Sequence, residues 1–240
     1  MRFKYFLISL PLIFYFIFYQ SIILNNSSDI FYDIDDKLWA HRILDPNRLN
    51  SLSDEFIGYE IDVYFDNEKK NFKISHHGES NNYSLSSFLN EIKGLNKIKL
   101  WIDFKNLDSA NVESSIIILD KIAKEYAIKS NIIIESKNIT LLSLYKLNGF
   151  YISYWLPSFH FIKSVFNIID IRDDLIDYKP NAISMPSSSV SFYSKKFPNY
   201  PIHCWTNGMN QEYDKDEIRN LNKQRNIKII LTDFKRNFLK

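Results

Sequence analysis

The sequence predicts an α/β protein, a compact (β/α)8 TIM barrel over residues 38–240 with a small hairpin extension after its second strand. Three observations carry this expectation. Short apolar or β-branched runs alternate with longer stretches of helical period, eight of the runs leave room for a crossover, and a ninth follows the second run too soon for a helix. The eight strand candidates are 38–41 (LWAH), 57–63 (IGYEIDV), 98–103 (IKLWID), 131–135 (NIIIE), 150–154 (FYISY), 181–185 (NAISM), 201–205 (PIHCW) and 228–232 (KIILT). The ninth, 72–76 (FKISH), is joined to the second by the turn-rich stretch 66–71 and reads as its hairpin partner. Helical candidates between strands include 84–93, 139–147, and 109–127 with its stripe of Ile116, Ile117, Leu119, Ile122 and Ala123. An open doubly wound sheet is the alternative, but it usually needs fewer strands.

Composition narrows the functional classes. Of 240 residues, 45% are hydrophobic and 24% charged, a mixture that buries one sizeable core and excludes disorder for most of the chain. Thirty Lys and Arg face 28 Asp and Glu, so there is no basic field for nucleic acid. The single cysteine, Cys204, excludes an internal disulfide framework and multi-cysteine metal sites, so any metal must be held by oxygen or imidazole. With only five glycines, neither GxGxxG nor GxxxxGK[ST] occurs, which removes dinucleotide and P-loop chemistry.

The amino terminus reads as membrane-directed. Arg2 and Lys4 precede an uncharged stretch, Tyr5 to Ser28, and Asp29, Asp33, Asp35 and Asp36 follow. As a helix, the apolar part from Tyr5 to Leu24 would reach ~30 Å, enough to cross the hydrocarbon layer once with its positive flank in the cytoplasm. No alanine occurs before Ala40, so an A-x-A cleavage site is missing. The expectation is a signal-anchor (1–28), a linker (29–37) and a barrel domain (38–240) outside the cytoplasm; cleavage would make it secreted.

Acidic residues inside apolar strands point to the chemistry. Glu60 and Asp62 lie two apart in GYEIDVYF, so the strand period sets both carboxylates on one face, with Ile61 and Val63 on the other. Asp103 and Lys105 repeat the arrangement in LWIDFKN. Three carboxylates from neighbouring strands can supply oxygen ligands to one divalent cation, Mg²⁺ or Ca²⁺. His41, followed by Arg42, ends the first strand, and His76 ends the hairpin. In a barrel these groups converge on one rim. Phosphodiester cleavage calls for such a set: a cation with Arg42 and Lys105 to take up charge, and His41 and His76 as acid and base. His160 and His203 are read as core or surface residues. A glycosidase built on Glu60 and Asp62 fits poorly, because carboxylates two apart on one strand are too close to flank a sugar as an inverting pair at ~6.5–9.5 Å.

In order and spacing these motifs resemble the phospholipase C-like phosphodiesterase superfamily, in particular glycerophosphodiester phosphodiesterases, over most of 38–240. The family's His-Arg-Gly reads His41-Arg42-Ile43, its Glu-x-Asp-Val reads Glu60-Ile61-Asp62-Val63, and its His-Asp pair reads His76-His77. Its Glu-x-Lys strand corresponds to Asp103-Phe104-Lys105, and its later Trp-Thr and Thr-Asp strand ends to Trp205-Thr206 and Thr232-Asp233. Three departures stand out: Ile43 replaces a glycine, a Glu-Asn-Thr segment is missing between Leu44 and Ser53, and Asp103 replaces Glu. Asp103/Lys105, Asp66 and His77-Gly78 instead resemble the sphingomyelinase D branch, in which His77 would be the second catalytic histidine; His76 is preferred because it shares a strand face with Ile74. The resemblance implies a small-molecule or lipid-derived phosphodiester substrate, with His77 beside it; Tyr154, Trp155 and Trp205, near later strand ends, are the candidates to stack on an apolar or sugar-like part of it, with core packing as the alternative. The alternative is a membrane-tethered barrel with a degenerate site that binds a phosphorylated glycan or lipid head group.

Overall fold

The computed structural model describes residues 32, 36–76, 83–159, 165–206 and 211–233, with the side chains of 165–166 and 211–214 excepted. The strands are β1 (Leu38–Ala40), β2 (Gly58–Asp66), β3 (Asn71–Ile74), β4 (Lys99–Phe104), β5 (Ile132–Ser136), β6 (Tyr151–Trp155), β7 (Ala182–Pro186), β8 (Ile202–Trp205) and β9 (Ile227–Thr232). All but β3 are parallel, and β1 pairs with both β9 and β2 (Ala40 opposite Tyr59), which closes an eight-stranded barrel. β3 runs antiparallel to β2 outside that ring, the expected hairpin.

Helices α1 (Pro46–Ser51), α2 (Leu85–Asn90), α3 (Val112–Glu125), α4 (Ile139–Leu147), α5 (Val165–Tyr178), α6 (Ser187–Lys196) and α7 (Gln211–Asn222) connect the strands. Local chemistry starts several of them. The Asp45 side chain accepts from Asn47 N ahead of Pro46 at the first helical turn, Ser84 accepts from Ser87 N, and Asn138 accepts from Leu141 N. In α3 the predicted stripe is buried at Ile116, Leu119, Ile122 and Ala123, while Ile117 points to solvent. Among the described residues no helix is long and apolar enough to cross a membrane, and the hydrophobic segment 1–28 lies outside them.

Strand alternation sorts the apolar residues into two separate cores. Tyr59, Ile61 and Val63 of β2, Leu100, Ile102 and Phe104 of β4, and Ile132 and Ile134 of β5 face the helical layer. Trp39, Trp101, Ile133, Ile229 and Leu231 fill the barrel interior instead. Trp39 fits only because β2 begins with a glycine: a Cβ on Gly58 would come within 2.0 Å of Trp39 Cδ2. Gly58→Ala therefore overpacks the interior and should lower stability by about 2 kcal/mol, read as a reduced urea midpoint; an unchanged midpoint would refute the packing role.

Candidate active site

The carboxyl ends of the strands carry the charged groups. Asp62 pairs in register with Asp103, and Asp103 with Glu135, so three acids from adjacent strands stand side by side, one strand step above the interior Trp101 and Ile133. One oxygen from each of Glu60, Asp62 and Asp103 lies within 4.8 Å of the others. They line a cavity of about 150 Å³ together with His41, Arg42, His76, Lys105, Glu135, Trp155 and Trp205. That space takes a phosphoryl group and little more, since pockets enclosing a whole drug-sized ligand run to ~300–1,000 Å³.

Asp62, fully buried, is the hub. Its Oδ2 is 2.7 Å from His76 Nδ1 and its Oδ1 is 2.5 Å from Lys105 Nζ, and Lys105 also binds Asp103. Burial alone would raise the Asp62 carboxyl, but Lys105 and His76 hold it below the usual carboxylate range. Burial would likewise lower Lys105, yet Asp103 and Asp62 raise it, so the ammonium stays charged. Glu60 has no such partner: burial, then Asp62 and Asp103, push it well above its ordinary value, although its Oε2 accepts from Arg42 N at 2.6 Å. Burial lifts Asp103 to about 6. Asp103 Oδ1, shut off from water, has no hydrogen-bond partner among the described residues. Such an acid-rich, under-neutralised oxygen set fits a hard divalent cation.

The two histidines are held alike. His41, only 6% exposed, has Nδ1 3.3 Å from Asp233 Oδ1, and its backbone N donates to Thr232 O. His76 follows β3, where Ser75 N donates to Asp62 O and sets the ring beside that carboxylate. In both rings Nδ1 is the nitrogen engaged by an acid, which directs Nε2 to any chemistry.

Of the residues singled out in the sequence, His41, Arg42, Glu60, Asp62, His76, Asp103, Lys105, Trp155 and Trp205 meet at this cavity. Trp155 and Trp205 stand edge to face at 5.4 Å, and Lys137 Nζ lies 4.1 Å from the Trp155 ring centre. Tyr154 requires a correction. It is adjacent to the inward-facing Trp155, so it points the other way, packs in the outer core and donates its hydroxyl to Asp174 Oδ2 on α5 at 3.0 Å. His77 and His160 lie outside the described residues. His203 is a core residue: it is fully buried, burial lowers it to about 3, and Ser153 Oγ and Tyr32 Oη flank its ring nitrogens at 2.9 and 3.0 Å.

Two residues went unrecognised in the sequence. Glu135, 2% exposed, lines the cavity with Oε2 unpartnered among the described residues. Its signal was available, an acid in the apolar run NIIIE. Asp233 was visible only as part of a strand-end motif, and its contact with His41 spans nearly the whole domain.

Proteins of known structure share this architecture. A glycerophosphodiester phosphodiesterase from Parabacteroides distasonis matches with a TM-score of 0.62 at 14% identity, covering 84% of this chain and 94% of that one. A phosphodiesterase from Oleispira antarctica, solved in complex with the product sn-glycerol-3-phosphate, gives 0.64 at 15% identity, covering 88% and 97%. A calcium-dependent phosphoinositol-specific phospholipase C from a Pseudomonas species gives 0.58 at 12% identity, covering 88% and 96%. The chain is thus similar in fold to phospholipase C-like phosphodiesterases, with the glycerophosphodiester enzymes prominent among its structural neighbours. No known family profile and no curated protein matches its sequence.

The carboxyls predict a pH signature. Asp103 is raised from 3.8 to about 6, so its contribution to stability is complete below its unfolded value and is lost as pH rises through about 6. Glu60 and Glu135, also raised by burial, act in the same direction. In EDTA the Tm should fall between about pH 4 and 6.5 more steeply than in Asp103→Asn, and Mg²⁺ or Ca²⁺ should raise Tm increasingly over that window. A Tm indifferent to both ions would remove the cation site.

Proposed function

We propose that this chain is a metal-dependent phosphodiester hydrolase acting on a glycerophosphodiester or a related phospholipid or glycan head group. The observation that carries the reading is the meeting of two histidines, each with Nδ1 against a carboxylate, with an acidic trio, Arg42 and Lys105 in one cavity. The sequence motifs and the fold neighbours, one of them holding sn-glycerol-3-phosphate, support it.

Glu60, Asp62 and Asp103 would hold one divalent cation, Mg²⁺ or Ca²⁺, which supplies positive charge to a phosphate oxygen. Arg42 and Lys105 take up the remaining charge of the phosphoryl group. His41 and His76 divide the acid and base roles through Nε2, with Asp233 and Asp62 fixing the rings. Trp155 and Trp205 offer flat faces to the alcohol portion, and Glu135 an acceptor or donor to one of its hydroxyls. His77, which follows His76 in the sequence, is assigned a substrate-binding role. The hydrophobic segment at Tyr5–Leu24 is a retained anchor that keeps the barrel outside the cytoplasm, attached to the membrane.

Release of 4-nitrophenol from bis(4-nitrophenyl) phosphate, with and without EDTA, tests the reading. Metal-dependent turnover is expected, falling ~10²-fold or more in His41→Ala and in His76→Ala. Full activity in both variants would end the assignment, and binding of a glycerophosphodiester without turnover would favour the degenerate binding barrel.

A further inference from the structure

Strand β5 climbs the barrel wall as a column of three chemistries. By alternation Ile133, Glu135 and Lys137 follow one another on its inward side. Ile133 belongs to the apolar floor, Glu135 lines the cavity, and Lys137, directly after the strand ends at Ser136, is exposed at the mouth. The Glu135 side chain is buried with Oε2 unpartnered among the described residues, a state that a protein rarely leaves without a ligand or water to meet it. The Lys137 ammonium lies 4.1 Å from the ring centre of Trp155, which lines the same cavity.

Lys137 and Lys105 are held in different ways. Lys105 is matched by its contacts with Asp62 and Asp103. Lys137 makes no ion pair among the described residues and rests instead on the Trp155 ring. An aromatic face fixes the position of an ammonium without cancelling its charge, as a carboxylate would. Lys105 Nζ lies 5.5 Å from the same ring centre, so one indole bridges the matched lysine and the unmatched one. The charge of Lys137 also reaches inward: burial raises the Asp103 carboxyl, and Lys105, then Lys137, draw it back. Since the cavity of about 150 Å³ takes little beyond a phosphoryl group, the alcohol portion of a substrate has to extend outward along Trp155, past Glu135 and towards Lys137.

We propose that Lys137 binds a second anionic group of the substrate, so that the preferred substrate is a phosphodiester of a short polyol whose alcohol portion carries a further negative charge. The proposal rests on the phosphodiesterase reading and names the substrate class within it. A three-carbon polyol with a phosphate at each end is long enough to set one phosphate beside Lys105 and the other beside Lys137, with its hydroxyl passing Glu135. None of the motifs that carry the family resemblance includes Lys137, so this preference belongs to the end of β5 in this chain.

Glycerophosphoglycerol, and the same compound with a phosphomonoester on its terminal hydroxyl, provide the test on the full chain with Mg²⁺ or Ca²⁺ present. In the unaltered protein kcat/KM for the phosphorylated compound should exceed that for its parent by roughly tenfold or more, chiefly through a lower KM. Lys137→Gln should bring this ratio below about twofold, while Lys137→Arg, which keeps the charge, should hold it above about fivefold. A ratio near one in the unaltered protein overturns the proposal. So does a Lys137→Gln variant that loses the same factor on both compounds, the result expected of a lysine that only packs on Trp155. Titration calorimetry separates this from the underlying reading. If neither compound is hydrolysed, the phosphodiesterase reading fails; tighter binding of the phosphorylated compound by about fivefold or more, lost in Lys137→Gln, then still upholds the anion subsite, and equal binding of the two overturns it.

Discussion

The site depends on one ammonium group. Lys105 stands between Asp62 and Asp103 and contacts both, in a part of the barrel where water is largely excluded. Without it, adjacent strands would bury like charges side by side, at a cost of several kcal/mol per uncompensated ion. The consequences are graded by distance from it. Asp62 is held below the usual carboxylate range and can orient His76, whereas burial raises Glu60 and Glu135 despite the lysine.

That arrangement needs a floor. Trp39, Trp101, Ile133, Ile229 and Leu231 form a dry layer across the interior, and the acids stand on its upper side. On its lower side the Tyr32, Tyr151, His203 and Ser153 side chains satisfy one another, and His203 is kept neutral by burial. An ionised histidine there would be a buried charge with no acid beside it among the described residues. Gly58 belongs to the same device, because the Trp39 indole lies where a side chain on that residue would project. A cavity lined with charged groups above and an uncharged cluster of Tyr32, Tyr151, Ser153 and His203 below are thus separated by a layer of large apolar side chains.

Most of this was legible in strand parity, and the misses were failures to apply it throughout. Eight of the nine strands fall within two residues of their apolar runs, and β2 runs three residues further, to Asp66, where it pairs with β3; the runs were visible because buried parallel strands read as nearly continuous hydrophobic sequence. Parity correctly put Glu60 and Asp62 on one face. The same rule forbids Tyr154 and Trp155 from sharing a face, and it turns Glu135 inward with Ile133. Helices α6 and α7 were less legible because polar residues dominate both and few apolar positions mark them, Val190 and Tyr193 in one and Ile218 and Leu221 in the other; α5 carries Ile168, Ile171 and Leu175 at helical spacing, a signal that was available. Asp233 and Lys137 act through contacts made only when distant strand ends meet, which spacing along the chain does not encode.

The departure at Ile43 shows how the loop after β1 makes its turn without a glycine there. The left-handed backbone falls one residue earlier, on Arg42 at φ 52°, and Ile43 is fully buried in the outer core. Holding an arginine in that region costs ~1–2 kcal/mol. In return Arg42 N reaches Glu60 Oε2 at 2.6 Å while Ile43 N donates to Glu60 O at 2.9 Å, so consecutive amides grip both ends of the same residue. A hydrogen bond to an ionised group contributes ~1.5–3 kcal/mol, which offsets the strain when Glu60 is ionised, the state a cation ligand requires. The strained turn is therefore least costly when the acid beside it is charged, and this couples the shape of the loop that carries His41 to the ionisation of Glu60.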